Sequence, residues 1–574
     1  MESKTPKFDK AINEILKNLV PHSKECGQCG SVFEILENDI EFFNKFQVPP
    51  PQMCPDCRRQ RRLAFANYTT LFKRPCSVPG HTESMISSVP DGAKFPVFDF
   101  DYYWSDDRDG KDYGLDPNLD KSFLKQFEDL FTISPQPALN RDPASINSEY
   151  TSYGAQLKDC YYTFGGMAAE DIMYTVWPLS SKNCVDMFIA LNTESSYQGV
   201  FPDHCYDCKF VYFSKDCINC DFIYDCRNCS DCFGCVNLRN KKFCMWNEQL
   251  SEEDYRKKRL EINLGDRGEL NKHQAKFTEL IKTLPVRATR NEHSTNAVGN
   301  YLINSNSCLS TMWAIHSENL SYVDFVMKVR DSYDASISAN SEKLYSTVTV
   351  GSNSSNVKFS NFGRDLRDCE YTMSCKSCVN CFACIGLDNA KFCIFNKQYT
   401  EEEYWQTVDE LKTKMLADGE YGEFFPMSLS PFPYNASLSN IIYSIPKEKV
   451  LSMGGWWHDE ENNIPKDVEL VEYDKTEPDI KNVSDAILKQ GIKSRGSGKP
   501  FRIVQKELDF YRRKNVAIPE LTPYERIINR FSFVNNFKLV KDNCFNCKME
   551  ILSSCESDAG YKPYCEKCYQ QEVY

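Results

Sequence analysis

The length of 574 residues suggests about four domains, and a composition of 41% hydrophobic residues, with 13% Phe, Trp or Tyr, is enough apolar material for several cores. It carries 68 Lys and Arg residues against 81 Asp and Glu residues, and the net charge of −13 excludes a protein that coats nucleic acid through its overall charge. Only seven histidines occur, so a histidine-based catalytic site has few candidates. No run approaches the roughly 18 apolar residues of a membrane span, so we expect no membrane association.

The first segment, residues 1–25, is predicted to be an amphipathic helix. Its apolar residues recur at helical spacing, and they are Phe8, Ile12, Ile15, Leu16 and Leu19. The segment lacks the basic-then-apolar order of a signal peptide. We therefore expect a cytoplasmic protein with reduced thiols, and secretion with disulfides is the alternative.

Residues 26–104 are predicted to form a zinc-ribbon tandem whose first site is intact and whose second site is degenerate. The spacing C-x2-C-x24-C-x2-C is typical of a structural zinc ion held by four thiolates, here Cys26, Cys29, Cys54 and Cys57. Four sulfur ligands leave no coordination position for a catalytic water. A redox CxxC pair is the alternative, but each CxxC pair has a second CxxC pair to complete a set of four ligands, which favours metal.

A basic stretch, "CRRQRR", begins at the last of these cysteines. In a helix, Arg58, Arg61 and Arg62 would share one face and would be candidates for nucleic-acid contacts through phosphates. The alternatives are a solvated basic turn and a turn that pairs with the acidic residues 99–112. The next segment, residues 105–140, is predicted to be an acidic linker and a helix.

Two Cys-rich units follow, residues 141–250 and 291–399. The first contains "CRNCSDCFGC" and the second contains "CKSCVNCFAC", and the two align at an offset of 149. The alignment indicates that a large unit has been duplicated. The short, aromatic-rich β-prone stretches between the cysteines predict strands, and the Asn, Asp and Ser residues predict turns.

The cysteines of the first unit also recur every nine residues, at Cys208, Cys217, Cys226, Cys235 and Cys244. Two such steps predict a β-solenoid coil of about 18 residues, in which Cys226 and Cys244 would be neighbours in successive coils. We interpret these cysteines as inward-facing, small, apolar packing residues. The rival is an iron–sulfur site, although the run lacks the final Cys-Pro spacing of ferredoxins.

Each Cys-rich unit is followed by a helical segment. Residues 251–290 are predicted to be a helical cap and spacer, and residues 400–493 a helix and an extended linker. Both helices start at a capping-box pattern, at Ser251 in one copy and at Thr400 in the other. We expect these helices, at 251–262 and 400–415, to cover the open end of the coils.

The last segment, residues 494–574, repeats the N-terminal tandem at an offset of 468. The four ligand positions of the first site become Ser494, Ser497, Thr522 and Glu525, so this half is predicted to persist without metal. The second site is complete, as C-x2-C-x17-C-x2-C, in Cys544, Cys547, Cys565 and Cys568. In the N-terminal tandem the same offset places Cys76, Pro79, Val97 and Phe100 at these positions. The sequence thus predicts two structural zinc ions, one near each terminus.

The stretch "CGQCGSVFEI…CPDCRRQRRLAF" resembles a bacterial zinc-ribbon module, and the ending "YCEKCYQQEVY" is similar to a treble-clef-like zinc knuckle. The whole arrangement, including "SPFPYNASLSN", resembles large uncharacterised proteins of candidate-phylum bacteria. The resemblance implies zinc and this architecture, and it implies no reaction. Those proteins keep cysteines at the positions of Ser494, Ser497, Thr522 and Glu525, where this chain departs from them.

The predicted fold class is mainly β with α additions, with two duplicated Cys-rich β-solenoid-like units flanked by zinc-ribbon and treble-clef-like modules. The function that the sequence favours is a zinc-binding, non-catalytic interaction scaffold with a protein partner. The alternative is an RNA- or DNA-associated or ribosome-associated zinc-ribbon protein. A third hypothesis is an iron–sulfur or carbohydrate-active solenoid protein, and no catalytic residue can be named for it.

Overall fold

A computed structural model describes residues 3–459, 468–534, 538–555 and 557–574. The chain forms two compact units, each built from segments that are distant in sequence. Unit 1 contains Met1–Asn67, Leu71–Leu139 and Arg290–His458, and unit 2 contains Tyr68–Thr70, Asn140–Thr289 and Asp459–Tyr574. The N-terminal ribbon region therefore folds with the second Cys-rich region, and the C-terminal ribbon region folds with the first.

The fold is mixed α/β, with about 33% strand and 27% helix. The predicted class, mainly β with α additions, underestimates the helical fraction of the chain, because each ribbon module and each linker contributes short helices. The helices of unit 1 are Pro6–Lys17, Glu37–Phe46, Pro55–Leu63, Phe100–Tyr103, Phe123–Ile133, Glu401–Ala417, Leu438–Ile442 and Lys447–Ser452. The helices of unit 2 are Glu252–Leu260, Arg267–Thr283, Gln505–Lys514, Pro523–Ser532 and Glu566–Val573. Among the described residues, no helix has both the length and the apolar character needed to cross a bilayer.

Small sheets accompany the helices of each ribbon region. In unit 1 they are His22–Glu25 with Val32–Ile35, Phe72–Pro75 with Ser84–Ser87, and Val97–Phe98 with Gln136–Pro137. In unit 2 they are Leu470–Glu472 with Gly491–Lys493 and Pro500–Phe501, Val540–Asn543 with Glu550–Ser553, and Pro285–Arg287 with Lys562–Tyr564.

The largest element of unit 2 is a ladder of parallel strands. The strands are Thr151–Ser152, Thr163–Phe164, Glu170–Met173, Val176–Leu179, Lys182–Leu191, Tyr197–Val200, Lys209–Tyr212, Asp221–Tyr224, Ser230–Val236 and Lys242–Met245, closed by the antiparallel Glu248–Gln249. Paired residues in neighbouring parallel strands are 12 positions apart, as in Lys209↔Asp221 and Asp221↔Phe233. The chain therefore returns to the same lateral position once in every such step.

Unit 1 contains a second ladder of the same kind. Its strands are Thr295–Ile303, Asn306–Ile315, Glu318–Ser321, Asp324–Gly351, Ser355–Arg364, Arg367–Glu370, Met373–Lys376, Val379–Phe382 and Lys391–Ile394, closed by the antiparallel Lys397–Gln398. The step between paired residues equals that of unit 2 in most rungs. It is one position shorter where Thr295 pairs with Asn306 and one position longer where Glu342 pairs with Ser355. This extra residue shifts the correspondence between the two ladders from an offset of 148 before it to 149 after it.

The backbone turns a corner every third residue of a coil. Residues with positive φ recur at this interval through both ladders, for example Asn219, Phe222, Asp225, Asn228 and Asp231. Asn and Asp tolerate this left-handed conformation because their short side chains bond locally, whereas bulky residues adopt it only when the surroundings compensate. The compensation is contact between corners of successive coils: the Asn219 amide donates to the Asp231 carboxylate at 2.6 Å, and the rings of Phe210 and Phe222 stack at 4.4 Å.

The "CRNCSDCFGC" run supplies one inward side chain to each side of a four-sided coil. Its four thiols, those of Cys226, Cys229, Cys232 and Cys235, are all at most 1% exposed. Four inward side chains share the interior of so short a coil. Cysteine fills all four positions in this run, whereas the neighbouring inward positions also hold larger residues such as Ile223 and Met187. The spacing C-x2-C-x2-C-x2-C thus follows from a backbone that turns every three residues.

The predicted 18-residue coil is wrong. Cys244 pairs with Cys232, at the same step as every other rung of this ladder, and not with Cys226. The nine-residue step has another origin, because nine residues are three sides of a four-sided coil. The Cys226 thiol donates to the carbonyl oxygen of Cys235 at 3.4 Å, and the Cys235 thiol donates to that of Cys244 at 3.6 Å. A step of nine therefore joins each inward thiol to the next coil.

The interior also differs from the expected apolar stack, because it offers hydrogen-bond acceptors to inward groups. Ser181 occupies an inward position and donates its hydroxyl to the carbonyl oxygens of Leu179 and Ala190, at 3.1 and 3.0 Å. These acceptors lie two residues before and nine residues after the donor, as they do for the cysteines. Serine and cysteine are thus interchangeable in hydrogen bonding at these positions.

We therefore expect Cys235→Ser to change the free energy of unfolding by no more than about 1 kcal/mol, since the hydroxyl would find the carbonyl acceptors that the thiol uses now. Cys235→Leu is the matched control, because the added carbon atoms overpack the coil and should cost about 1 to 3 kcal/mol. Urea denaturation measures the change in the free energy of unfolding for both variants, and metal analysis measures their metal content. Release of a metal or loss of a chromophore from Cys235→Ser would show that these thiols form a cluster instead.

The final rung and the helix after it are the same in both ladders at an offset of 149. Cys232↔Cys244 corresponds to Cys381↔Cys393. The predicted helices are confirmed as Glu252–Leu260 and Glu401–Ala417, and the capping hydroxyls of Ser251 and Thr400 accept from backbone N–H groups three residues later. Each helix lays a buried tyrosine against the aromatic ring of the last rung, Tyr255 on Phe243 and Tyr404 on Phe392.

A buried carboxylate joins the helix Glu401–Ala417 to the ladder of unit 1. Glu370 accepts from Lys358 at 2.9 Å and from Lys412 at 3.0 Å, and its second oxygen accepts from the Tyr421 hydroxyl at 2.9 Å. Burial alone would raise the pKa of Glu370, but the two ammonium groups outweigh it and lower the pKa to about 2.

Unit 1 should therefore lose stability in acid. Because the folded pKa lies below the value of 4.5 for a free carboxyl, the stabilisation is fully present above pH 4.5 and is lost as the pH falls toward 2. The loss is on the order of 3 kcal/mol. The free energy of unfolding of unit 1, measured by hydrogen exchange between pH 7 and pH 3, should depend less steeply on pH in Glu370→Gln than in the wild type. Equal slopes would contradict the assignment.

Candidate metal centres

Four thiols meet in the N-terminal ribbon of unit 1. The hairpin His22–Glu25 and Val32–Ile35 presents Cys26 and Cys29 in its turn, and the helix Pro55–Leu63 presents Cys54 and Cys57 at its first turn. The tight turn requires φ of +73° at Gly30, which glycine adopts without strain. The four sulfur atoms lie within 4.8 Å of one another.

The C-terminal ribbon of unit 2 repeats this arrangement. The hairpin Val540–Asn543 and Glu550–Ser553 presents Cys544 and Cys547, and the helix Glu566–Val573 starts after Cys565 and contains Cys568. Its four sulfur atoms also lie within 4.8 Å of one another. The eight cysteines that the sequence predicts as ligands thus form two separate groups of four, one in each unit.

Both quartets fit a tetrahedral metal ion. Four sulfur atoms at about 2.3 Å from one centre are about 3.8 Å apart, and the Sγ atoms of Cys29 and Cys54 are 3.8 Å apart. The sulfur atom of Cys26 accepts the backbone N–H of Cys54 at 3.2 Å, a bond that would stabilise a thiolate. In the C-terminal quartet the corresponding N–H···S distance, from Cys565 to Cys544, is 3.3 Å.

The thiols of a quartet differ in acidity before metal binds. The hydrogen bond with Ser31 lowers the pKa of Cys29 to about 6, whereas burial raises the pKa of Cys54 to about 11. Burial also raises the pKa of Cys568, to about 12. A metal ion must therefore displace protons from the buried thiols, so its affinity should rise with pH.

The first ribbon of the C-terminal tandem, the emptied ribbon, has Ser494, Ser497, Thr522 and Glu525 at the four ligand positions. It keeps the ribbon fold, with a hydrogen-bonded cluster in place of the metal. Its hairpin, Gly491–Lys493 with Pro500–Phe501, and its helix, Pro523–Ser532, match those of the first ribbon at an offset of 468. Glu525 accepts the Ser494 hydroxyl at 2.6 Å and the backbone N–H of Thr522 at 2.8 Å. The prediction that this half persists as a metal-free fold is thus supported by a carboxylate at the position of the last cysteine.

Two of the three arginines that were predicted as nucleic-acid contacts are buried. Arg58 and Arg62 are 5% and 0% exposed, and both pair with Asp334, at 2.5 and 2.9 Å. Arg61 lies 3.6 Å from Glu423. Arg58 and Arg62, which the sequence offered as candidates for nucleic-acid contacts, are instead buried, because the helix that carries them packs on the ladder of unit 1 and an inward-turned arginine there needs an acidic partner.

The same network recurs in unit 2. Arg526 and Arg530, which match Arg58 and Arg62 at an offset of 468, pair with Asp186 at 2.6 and 2.8 Å. Asp186 and Asp334 correspond between the two ladders at the offset of 148. The retention of both arginines in a ribbon without metal was a signal for this role, but their acidic partner lies far away in sequence and carries no local pattern.

The cysteines inside the coils do not resemble the two quartets. Within the described residues, the groups of three or more ligand atoms inside 4.8 Å are the two quartets and a third set, Cys76, His81 and Asp99. Among those residues, no inward cysteine of either ladder belongs to such a group. No protein-family model matches this chain and no curated protein matches it, so functional conclusions depend on the geometry of these sites.

Proposed function

We propose that this protein is a zinc-stabilised, non-catalytic interaction scaffold of the bacterial cytoplasm. In this proposal the two quartets hold structural zinc in a zinc ribbon and a treble-clef-like knuckle, and the two ladders are duplicated β-solenoids. The observation that carries the proposal is the composition of the quartets. Four thiolates fill the tetrahedral shell of zinc and leave no position for a substrate or a catalytic water.

The contacts around each quartet support a structural role. Metal would join the Cys26 hairpin to the helix Pro55–Leu63, and that helix is held to the ladder by the pairs of Arg58 and Arg62 with Asp334. In unit 2 the helix Glu566–Val573 is held by Arg287, which contacts Glu566 at 2.7 Å. Each metal would therefore fasten a small module that is already attached to a long parallel sheet.

The outward face of the unit 2 ladder supports a protein partner. One row of outward residues, each 12 positions from the next, runs along it: Ile146, Lys158, Glu170, Lys182, Glu194, Tyr206, Ile218, Ser230 and Lys242. Tyr206 and Ile218 are adjacent in this row and are 50% and 53% exposed. Adjacent apolar side chains within a row of both charge signs are suited to a protein surface rather than to a phosphate backbone.

The alternatives have weaker support. An RNA- or DNA-associated or ribosome-associated function would need a surface other than Arg58 and Arg62, which are engaged in buried ion pairs. An iron–sulfur function would need the inward cysteines, whose thiols donate to backbone carbonyl oxygens as packing residues do. A carbohydrate-active function has no carboxylate pair among the described residues that we can assign to it.

Metal analysis of anaerobically purified, full-length protein tests the proposal. We expect zinc, no iron and no visible chromophore. A coloured protein that contains iron and sulfide would replace the scaffold with an electron carrier. Fluorescence anisotropy with labelled RNA and duplex DNA, at about 50 and 200 mM salt, separates the remaining two functions. Salt-sensitive binding would favour the nucleic-acid alternative, and no binding would favour the scaffold.

A photo-crosslinking amino acid at position 206 tests the partner surface in cells. We expect one defined protein adduct that is lost in the Ile218→Asp variant. A crosslinker at position 182 in the same row is the matched control, because both of its neighbours in the row, Glu170 and Glu194, are charged. Adducts of equal yield from both positions, unaffected by Ile218→Asp, would rule out this face as the binding surface.

A further inference from the structure

The half of the N-terminal tandem that was predicted to be degenerate keeps the backbone of a metal knuckle. The hairpin Phe72–Pro75 and Ser84–Ser87 carries Cys76 in its turn, and the helix Phe100–Tyr103 follows the hairpin after a further loop. This is the order of hairpin, ligand pair and helix that builds both quartets. Cys76 follows its strand directly, as Cys26 and Cys544 follow theirs.

A backbone hydrogen bond identifies which residue occupies the third ligand position. In both quartets the third cysteine donates its N–H to the sulfur atom of the first, at 3.2 and 3.3 Å. Here Asp99 donates its N–H to the Cys76 sulfur at 3.3 Å. The sequence alignment, which places Val97 and Phe100 at the last two positions, is therefore shifted by two residues. Asp99 and Tyr102 stand there instead.

Three ligand atoms converge at this knuckle. The His81 Nδ1 atom lies 2.9 Å from the Asp99 carboxylate, and the Cys76 Sγ atom lies 3.4 Å from the same carboxylate oxygen. All three ligand atoms lie within 4.8 Å of one another. The Cys76 sulfur also accepts the backbone N–H of Val78 at 3.5 Å, so two N–H groups point at the atom that would carry the thiolate charge.

We propose that Cys76, His81 and Asp99 form a third metal site, which takes a borderline divalent cation such as Zn²⁺ or Co²⁺. Thiolate, imidazole and carboxylate are the three ligand types that zinc accepts. The fourth position of the knuckle is taken by Tyr102, whose ring lies 5.6 Å from that of His81 and supplies no sulfur. This site therefore differs from the quartets, because one coordination position stays open to water or another small ligand.

The surroundings suit an exchangeable ion. The side chains of His81 and Asp99 are 42% and 29% exposed, so an ion can enter from solvent. Beneath them, Val78, Phe98 and Tyr103 form a buried apolar base that holds the loop and the helix together. Asp99 also caps the helix, since its carboxylate accepts the N–H of Tyr102 at 2.9 Å, and this bond fixes the carboxylate at the site.

Titration of the metal-free, full-length protein with Co²⁺ tests the site, because bound cobalt reports its ligands by absorption. We expect three equivalents in the wild type and in His204→Ala. His204 is the matched control, since it forms an exposed pair with Asp203 at 2.6 Å, but no cysteine joins the two residues in a candidate metal site. His81→Ala should weaken the third equivalent at least tenfold and leave the other two unchanged, since even loss of an outer-shell partner costs about 10- to 100-fold in affinity.

The quartets and the third site can fail independently in this experiment. Cys26→Ser and Cys544→Ser should each remove one equivalent and retain the one that depends on His81. A wild type that binds two equivalents, both insensitive to His81→Ala, would overturn the third site and leave the proposed function intact. A third equivalent that survives His81→Ala and Cys76→Ser would also overturn it, because the ion would then be bound elsewhere.

Discussion

Replacing Cys26 by serine should remove one metal ion per chain and unfold the ribbon of unit 1. Cys26 is 2% exposed, and its sulfur atom accepts the backbone N–H of Cys54, so it links the hairpin to the helix of the quartet. A structural zinc ion contributes roughly 10 to 16 kcal/mol of apparent binding energy to a small module at neutral pH. Three remaining thiols hold zinc much more weakly, so most of this stabilisation would be lost. Metal analysis together with hydrogen exchange of residues 22–63 measures both consequences.

Ser494→Ala is the matched control for this prediction. Ser494 occupies the position of Cys26 in the emptied ribbon, where its hydroxyl donates to Glu525. Removing one such hydrogen bond should cost about 1 kcal/mol and should leave the metal content unchanged. A Cys26→Ser protein with unaltered metal content and unaltered exchange in residues 22–63 would show that the quartet binds no structural ion.

Asp334→Asn should destabilise unit 1 by about 3 to 5 kcal/mol, because it removes the carboxylate that pairs directly with two buried guanidinium groups. Arg58 and Arg62 both depend on this carboxylate, and the three side chains are almost fully buried. The loss should be visible as faster hydrogen exchange in the helix Pro55–Leu63 and in the adjoining rungs of the ladder. Asp186→Asn should act in the same direction in unit 2, through Arg526 and Arg530, but with a smaller loss, because Arg526 keeps its buried pair with Glu507 at 3.1 Å.

Glu342→Gln is the control for the loss of a carboxylate from the same ladder. Glu342 pairs with Arg330 at 2.9 Å, but the two side chains are 39% and 64% exposed, and surface pairs contribute about 0 to 1 kcal/mol. If Asp334→Asn were no more destabilising than Glu342→Gln, the buried ion pairs would not hold the ribbon to the ladder.

Several features could be predicted from sequence because they depend on residues close together in the chain. The Cys26–Cys29 pair sits in one hairpin turn, and the Cys54–Cys57 pair in one helical turn, so their spacing alone predicts a knuckle. The helix caps at Ser251 and Thr400 are equally local. The complementary loss of cysteines between Cys26 and Ser494 predicted which ribbon keeps its ligands.

The coil length could not be predicted in this way. Each side of a coil has three residues, so cysteines at inward positions recur at multiples of three, and the sequence does not say how many sides make a coil. A step of nine fits the predicted two-step coil as well as three sides of the shorter, four-sided coil. The pairing between neighbouring strands, such as that of Cys232 with Cys244, distinguishes the two.

The two quartets and the helices that follow the two ladders could be identified from the sequence, since each depends on short-range spacing. The offset of 149 between the ladders holds only after Glu342, where the structure has one extra residue in a rung. Three features become visible only in the folded chain: the N-terminal ribbon folds with the second ladder, its arginines are buried, and Asp99 stands where a third cysteine would be. These features depend on groups far apart in sequence, such as Arg58 and Asp334. Burial makes such pairing obligatory, but it leaves no periodic signal in the chain.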